Sequence, residues 1–177
     1  MGEQTAPRPM KYRFLRKLIE TWALLGCVVL LGVVATTAWS LVRDIVWSSP
    51  VQGENEIVQV GIAVAVFAFL PLCQLTGQNI SADIFTAKAS ARTIAVLTMV
   101  GSIVALLFAA LLVWRSWDGM LDYREMMETT AIMSFPIWTA FVPILISLVL
   151  LVVASAISLL DGFDDFKYER MPDPILH

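Results

Sequence analysis

The sequence contains few charged residues for its length. Charged side chains make up 15% of the 177 positions, whereas a soluble domain carries about a quarter. Hydrophobic residues make up 58% of the chain, and the mean hydropathy is +0.77. This composition excludes a water-soluble globular protein.

Histidine and cysteine are also scarce. The only histidine is the last residue, His177, so neither a bis-histidine haem site nor a Ser/His/Asp triad can form within the apolar part. Cys27 and Cys73 both lie in apolar stretches, where a small buried thiol is the favoured interpretation. No glycine-rich phosphate loop is present. We therefore predict that the chain is not an enzyme, with no catalytic residue, cofactor, metal site or nucleic-acid partner.

Charge-free stretches predict the fold. A helix that crosses the hydrocarbon core of a bilayer needs about 20 predominantly apolar residues. Stretches of at least this length contain no Asp, Glu, Lys or Arg at four places: Thr21–Val42, Ile57–Ala82, Thr93–Trp114 and Thr129–Leu160. We predict an all-α integral membrane protein with four tilted transmembrane helices, spanning about 18–41, 57–75, 93–114 and 137–160.

The fourth stretch is longer than one span requires. As a straight helix it would extend about 48 Å, which exceeds the thickness of the bilayer core. Pro136 divides it, because proline cannot donate a helical hydrogen bond. We expect Thr129–Phe135 to form a surface segment or a re-entrant bend, and the preceding Arg115–Glu128 to form a polar outer loop.

Lys and Arg are distributed unequally between the two sides of this topology. Nine lie on the side of the termini and three on the other, so both termini are predicted to be cytoplasmic. Residues 1–17 form a basic amphipathic segment, 18–160 the membrane domain and 161–177 an acidic tail. Short interfacial helices are expected in the basic segment and at Ile84–Arg92, with Arg13, Arg16 and Lys17 anchoring the chain to lipid headgroups. A cleaved signal peptide is disfavoured, because its apolar region is usually about 7–15 residues long.

The four charge-free stretches carry no acidic or basic side chain. Transport of an ion or a charged solute normally requires such groups at membrane depth. Hydroxyls and amides such as Thr36, Thr37, Gln59 and Gln74 are the available polar groups. This pattern indicates a small membrane protein that serves a larger complex.

Three segments carry a resemblance to a known family. Gly53-Glu54 with Glu56 opens span two, and the segment Gly77–Asp83 reads Gly-Gln-Asn-Ile-Ser-Ala-Asp. The fourth charge-free stretch contains Ser134–Trp138 followed by Val142–Ile144, with a proline in each. Together these segments resemble the small membrane subunit (DctQ type) of tripartite ATP-independent periplasmic (TRAP) transporters, over about Leu15–Leu160. The middle segment is similar to the family's Gly-x-His-Ile-x-Val-Asp, with Asn79 and Ala82 in place of His and Val.

The resemblance implies a multi-pass protein of the bacterial inner membrane that pairs with a large DctM-type transmembrane subunit. It also implies a periplasmic substrate-binding protein as a transient partner and uptake of an organic acid or related solute, driven by a sodium gradient. Membrane lipids are the remaining expected partner. Candidate docking residues for the binding protein are Glu54, Glu56, Asp118, Asp122 and Arg124. Candidate packing residues for the large subunit are Gly101, Ala105, Ala109, Pro136, Trp138 and Pro143.

Other interpretations remain open on the sequence alone. The small residues Gly101, Ala105 and Ala109 lie four positions apart, a spacing that serves packing inside the chain's own bundle as well as packing against a partner. The chain could also be an assembly or regulatory subunit of an unrelated membrane complex. An independent small channel or carrier would have to build a polar path from the few hydroxyls and amides in the spans.

Overall fold

The computed structural model describes residues 13–49, 51–76 and 91–168. These residues form four helices: α1 (Arg13–Trp47), α2 (Glu54–Leu75), α3 (Ala91–Glu125) and α4 (Trp138–Tyr168). Each helix is long and apolar enough to cross a membrane. The described residues contain no β-strand, so the predicted all-α class with four spans is confirmed. The residues expected to form interfacial helices, the Gly77–Asp83 segment and the end of the tail lie largely outside the described ranges.

The helices pack in the order α1–α2–α4–α3, with an extensive contact between each neighbouring pair in that order. α4 is the most enclosed helix. In its most apolar 18-residue segment 44% is buried, against 22% or less in the corresponding segments of the other three helices. It contributes to both clusters of buried apolar side chains. One cluster lies between α1, α2 and α4 (Ile19, Leu150 and Ala154), and the other between α2, α3 and α4 (Ala109, Leu148 and Leu151).

Glycines allow α1 and α2 to approach each other closely. A Cβ atom at Gly26 of α1 would lie 2.7 Å from the Cβ of Ala68, and one at Gly61 of α2 would collide with Val33. A Cβ atom at Gly32, also in α1, would meet nothing within 4 Å. Small residues at helix contacts let the backbones pack together, which favours association within a membrane. The contact between α1 and α2 therefore depends on Gly26 and Gly61.

A hydrogen bond links α1 to α4 inside the apolar region. The indole Nε1 of Trp22 donates to the hydroxyl of Ser147 over 2.9 Å, and that hydroxyl donates to the backbone carbonyl of Pro143 over 2.8 Å. The hydroxyl of Ser147 thus acts as acceptor and donor at once. Because the indole is partly buried, it has little access to water as an alternative partner.

Replacing Trp22 with Phe should lower the free energy of unfolding. The change removes the hydrogen bond and keeps an aromatic ring, so we expect a loss of about 0.6 kcal/mol, with an upper limit of about 1.7 kcal/mol. Equilibrium unfolding in mixed micelles would measure it. Trp114→Phe is the control, since that side chain is exposed at the surface of α3. Equal losses for the two variants would show that the hydrogen bond does not stabilise the fold.

All four helices extend beyond the predicted spans: α2 begins earlier, at Glu54, and α4 continues to Tyr168 instead of ending near residue 160. α1 continues to Trp47 instead of ending near residue 41, and α3 continues to Glu125, so most of the expected loop Arg115–Glu128 is helical. Charged side chains do not end a helix where water can solvate them, and none of these extensions contains a proline. The extension of α3 also packs against α4, because Phe141 lies 3.6 Å from the Cβ position of Gly119 and 5.4 Å from Tyr123 between ring centroids.

Candidate functional site

The connection between α3 and α4 is held against the first turn of α2. We call residues 126–137 the α3–α4 hairpin, and the side of the bundle that carries it and residues 48, 49 and 51–53 the hairpin end. The two carboxylate oxygens of Glu56 each accept a hydrogen bond from the hairpin backbone. Ile132 N donates over 2.8 Å and Met133 N over 3.0 Å. Glu56 therefore joins α2 to the turn between α3 and α4.

The hairpin forms through its own backbone hydrogen bonds. Thr130 N donates to the carbonyl of Phe135 over 2.9 Å, and Phe135 N donates to the Thr130 hydroxyl over 3.1 Å. Ser134 has a φ of 53°, in the left-handed region that reverses the chain direction. Pro136 follows, and its carbonyl accepts a 2.6 Å bond from the Thr139 hydroxyl in the first turn of α4. The residues before Pro136, expected to form a surface segment or a re-entrant bend, thus form a closed turn that leads directly into α4.

Gly53 supplies the space that this contact requires. It precedes α2 with a φ of 76°, a conformation that favours glycine. A Cβ atom at this position would also collide with the side chain of Met133. The glycine therefore starts the helix and admits the hairpin beside it.

The other candidate docking residues lie on different parts of the hairpin end. Glu54 is half-buried in the first turn of α2, and Asp118 and Asp122 are one turn apart near the end of α3. The guanidinium of exposed Arg124 lies 6.0 Å from the ring centroid of Trp138, within the range of a cation–π contact. The structure brings Glu56 to the hairpin and Arg124 to Trp138. It gives no ion pair among the five candidates.

The candidate packing residues differ in their accessibility. Ala109 is fully buried against Leu148 and Leu151 of α4, so it packs inside the chain's own bundle, one of the two alternatives for this spacing. The remaining candidates are half-buried: Gly101 and Ala105 in α3, Pro136 in the hairpin, and Trp138 and Pro143 in α4. Their contact with a large subunit stays a prediction.

The predicted anchoring residues begin α1. Arg13 is the first residue of the helix, and Arg16 and Lys17 are exposed in its first two turns. The basic residues therefore continue directly into the first span.

The thiols are free, and their burial differs from the expectation. Cys27 is exposed on the surface of α1, and Cys73 is half-buried in α2. Cys27 was predicted to be buried because its stretch is apolar. A helix surface that faces lipid, however, is as apolar as one packed inside the protein, so an apolar stretch does not imply burial. Within the ranges 13–49, 51–76 and 91–168, no three His, Cys, Asp or Glu side chains are grouped as metal ligands.

Sequence reasoning identified Glu56 but missed its partner groups. The groups are backbone N–H donors of Ile132 and Met133, which carry no side-chain signature. The available signals were an acidic residue just inside a helix that follows a glycine, and the prolyl turn Ser134–Pro136 at the other end of the contact. Neither signal specifies that the two segments meet.

A comparison with known protein families identifies the family of this chain. Residues 32–165 match the family described as "Tripartite ATP-independent periplasmic transporters, DctQ component". No curated protein and no solved structure matches the chain. The match covers more than half of the sequence, includes α2, α3, nearly all of α4 and the C-terminal part of α1, and agrees with the resemblance carried by its motifs. The chain therefore belongs to the DctQ family, the small permease subunits of TRAP transporters, and is a multi-pass protein of the inner membrane.

Proposed function

We propose that this chain is a scaffold that anchors a large DctM-type subunit in the membrane. The observation that carries the proposal is that four stretches long enough to span the membrane contain no Asp, Glu, Lys or Arg. The chain is therefore without an evident ion or solute site of its own. A sodium gradient would then drive uptake of an organic acid or related solute through the large subunit. The excess of Lys and Arg on one side supports cytoplasmic termini.

The packing order supports contact with the large subunit along α3. α3 lies at one end of the row and exposes a continuous apolar face that includes Val100, Val104, Leu107 and Leu111. Gly101 and Ala105 lie beside this face and would permit close helix approach. A mobile transport domain in the large subunit could then shift against this fixed part.

Co-purification of the tagged chain in mild detergent tests the scaffold proposal. We expect a very hydrophobic partner with about a dozen spans, by analogy with large transporters built from two repeats, in a near-stoichiometric amount. Recovery of an unrelated complex would favour the assembly or regulatory alternative. Solute flux through the purified chain alone in liposomes would favour an independent channel or carrier.

We also propose that the hairpin end docks the substrate-binding protein. It presents charged side chains on rigid helix ends, namely Glu54 on α2 and Asp118, Asp122 and Arg124 on α3. Charges at a transient interface mainly change the rate of encounter and its salt dependence. Family membership supports the existence of such a partner, and the residues named here are the proposed contacts.

Reversing the two acids of α3 should slow docking. The double variant Asp118→Lys/Asp122→Lys is expected to reduce uptake about tenfold at low ionic strength and much less at high ionic strength, because salt screens long-range attraction. Uptake by the complete transporter in proteoliposomes measures it. Glu20→Lys is the control, since this exposed acid lies at the opposite end of α1. Unchanged uptake at every ionic strength would show that the binding protein does not dock on this face, and would leave the scaffold proposal intact.

A further inference from the structure

An open groove lies on α1 at the hairpin end, at the other end of the helix row from α3. Its described lining consists of Trp39, Arg43, Trp47 and Ser49, and its volume is about 520 Å³. The first three residues are spaced four apart, so each step advances about 6 Å along the helix and rotates only about 40° around it. One face of α1 therefore presents an arginine between two tryptophans.

The groove offers hydrogen-bond donors and a positive charge. Arg43 carries a planar fork of N–H donors, the indoles and the Ser49 hydroxyl add further donors, and none of these four described lining residues is acidic. Trp39 is 60% exposed and Trp47 65% exposed. Arg43 makes no ion pair with another residue in the part of the chain that the structure describes. This combination is complementary to an oxyanion attached to an apolar body.

The height of the groove in the membrane identifies the oxyanion. Arg43 is the first charged residue after the charge-free stretch of α1, with Trp39 one turn inside and Trp47 one turn outside. At nearly the same level, the Val51 N–H donates to the buried hydroxyl of Ser40 over 3.2 Å, just before α2 begins. Tryptophan and arginine at this boundary lie at the level of lipid headgroups. The oxyanion concentrated there is the phosphodiester of the phospholipids.

We propose that Trp39, Arg43 and Trp47 bind one phospholipid of the leaflet at the hairpin end. The Arg43 guanidinium binds the phosphodiester, for which its fork geometry is suited. The indole rings contact the glycerol and the first acyl carbons, and their N–H groups donate to ester oxygens. The distribution of Lys and Arg predicts this leaflet to be the periplasmic one. The proposal rests on α1 alone and is independent of the scaffold role.

Lipid binding to the full chain tests the site. The chain is purified in mild detergent with any subunit that accompanies it, and native mass spectrometry measures binding of dioleoylphosphatidylglycerol and of dioleoylglycerol, which lacks the phosphate. The wild type is expected to bind one phosphatidylglycerol about tenfold more tightly than the diacylglycerol. Arg43→Gln should abolish this preference, and Arg43→Lys, which keeps the charge without the fork, should reduce it. Arg115→Gln, at an exposed arginine of α3, should leave it unchanged.

Three results would overturn the assignment. The first is an unchanged preference for phosphatidylglycerol in both Arg43 variants. The second is an equal loss in Arg115→Gln, which would indicate a general effect of positive charge. The third is loss of an accompanying subunit from Arg43→Gln with lipid binding retained, which would make this face a protein interface. If Arg43→Gln does not fold, the comparison of Arg43→Lys with wild type decides.

Discussion

Gly26→Val is expected to separate α1 from α2, whereas Gly32→Val in the same helix leaves their contact intact. The first Cβ of the new side chain at position 26 would lie 2.7 Å from the Cβ of Ala68, a distance at which one atom has to move. Ala68 has no rotamer to change, so the helix backbones themselves must move apart. The Cβ position at Gly32 has no neighbour within 4 Å.

The two glycine variants form a matched pair. Both replace glycine by valine in the middle of α1, so the change in helix propensity and in hydrophobicity is the same. Overpacking costs about 1–3 kcal/mol and sometimes more, and this cost should appear only at position 26. Unfolding in mixed micelles and the yield of assembled transporter would measure it.

Further variants at the same contact test the interpretation. Gly61→Val should resemble Gly26→Val, because its side chain would collide with the branched Val33. The double variant Gly26→Ala/Ala68→Gly should be more stable than Gly26→Ala alone, because it removes the opposing methyl group. Equal losses at Gly26 and Gly32 would show that the loss arises within α1 and not from its contact with α2.

These glycines show what the sequence could and could not predict. The four spans were predictable because a charge-free run of sufficient length has few other stable structures. Gly26 and Gly32 are indistinguishable by sequence, since both lie within one apolar run and only packing decides which one faces α2. The sequence alone therefore predicts the helices and leaves their contacts undetermined.

The helix ends were harder to predict for a related reason. The loss of apolar character after Leu41 and Trp114 marks where the bilayer core ends, but a helix continues as long as its backbone hydrogen bonds are made. α1 and α3 continue to Trp47 and Glu125, so Asp118 and Asp122 are fixed on a helix. The charged residues of the candidate site were predictable from the sequence. Its geometry was not, because the groups that Glu56 binds are backbone amides.

Glu56→Gln and Glu54→Gln should affect uptake in different ways, although the two acids are two residues apart. The Glu56 carboxylate uses both oxygens to accept bonds from Ile132 N and Met133 N. Glutamine offers one acceptor oxygen, and its amide nitrogen would face an N–H donor. The hairpin should therefore loosen in Glu56→Gln. The Glu54 carboxylate makes no hydrogen bond or ion pair within the described residues, and its charge is available to a docking partner.

The salt dependence of uptake distinguishes the two roles. Glu56→Gln should lower uptake by a similar factor at low and high ionic strength, because hydrogen bonds at 2.8 and 3.0 Å are too short for mobile ions to screen. Glu54→Gln should lower uptake mainly at low ionic strength. Proteoliposomes that contain the complete transporter provide the measurement, with choline chloride setting the ionic strength at a fixed sodium gradient.

Hydrogen exchange provides a readout of Glu56 that does not depend on transport. The amides of Ile132 and Met133 should exchange faster in Glu56→Gln and at the wild-type rate in Glu54→Gln, since only Glu56 accepts their hydrogen bonds. Unchanged exchange together with an uptake defect that disappears at high salt would assign Glu56 to the docking charges. Faster exchange with normal uptake would mean that a fixed hairpin is unnecessary for transport, because the remaining helix contacts then suffice to hold the scaffold.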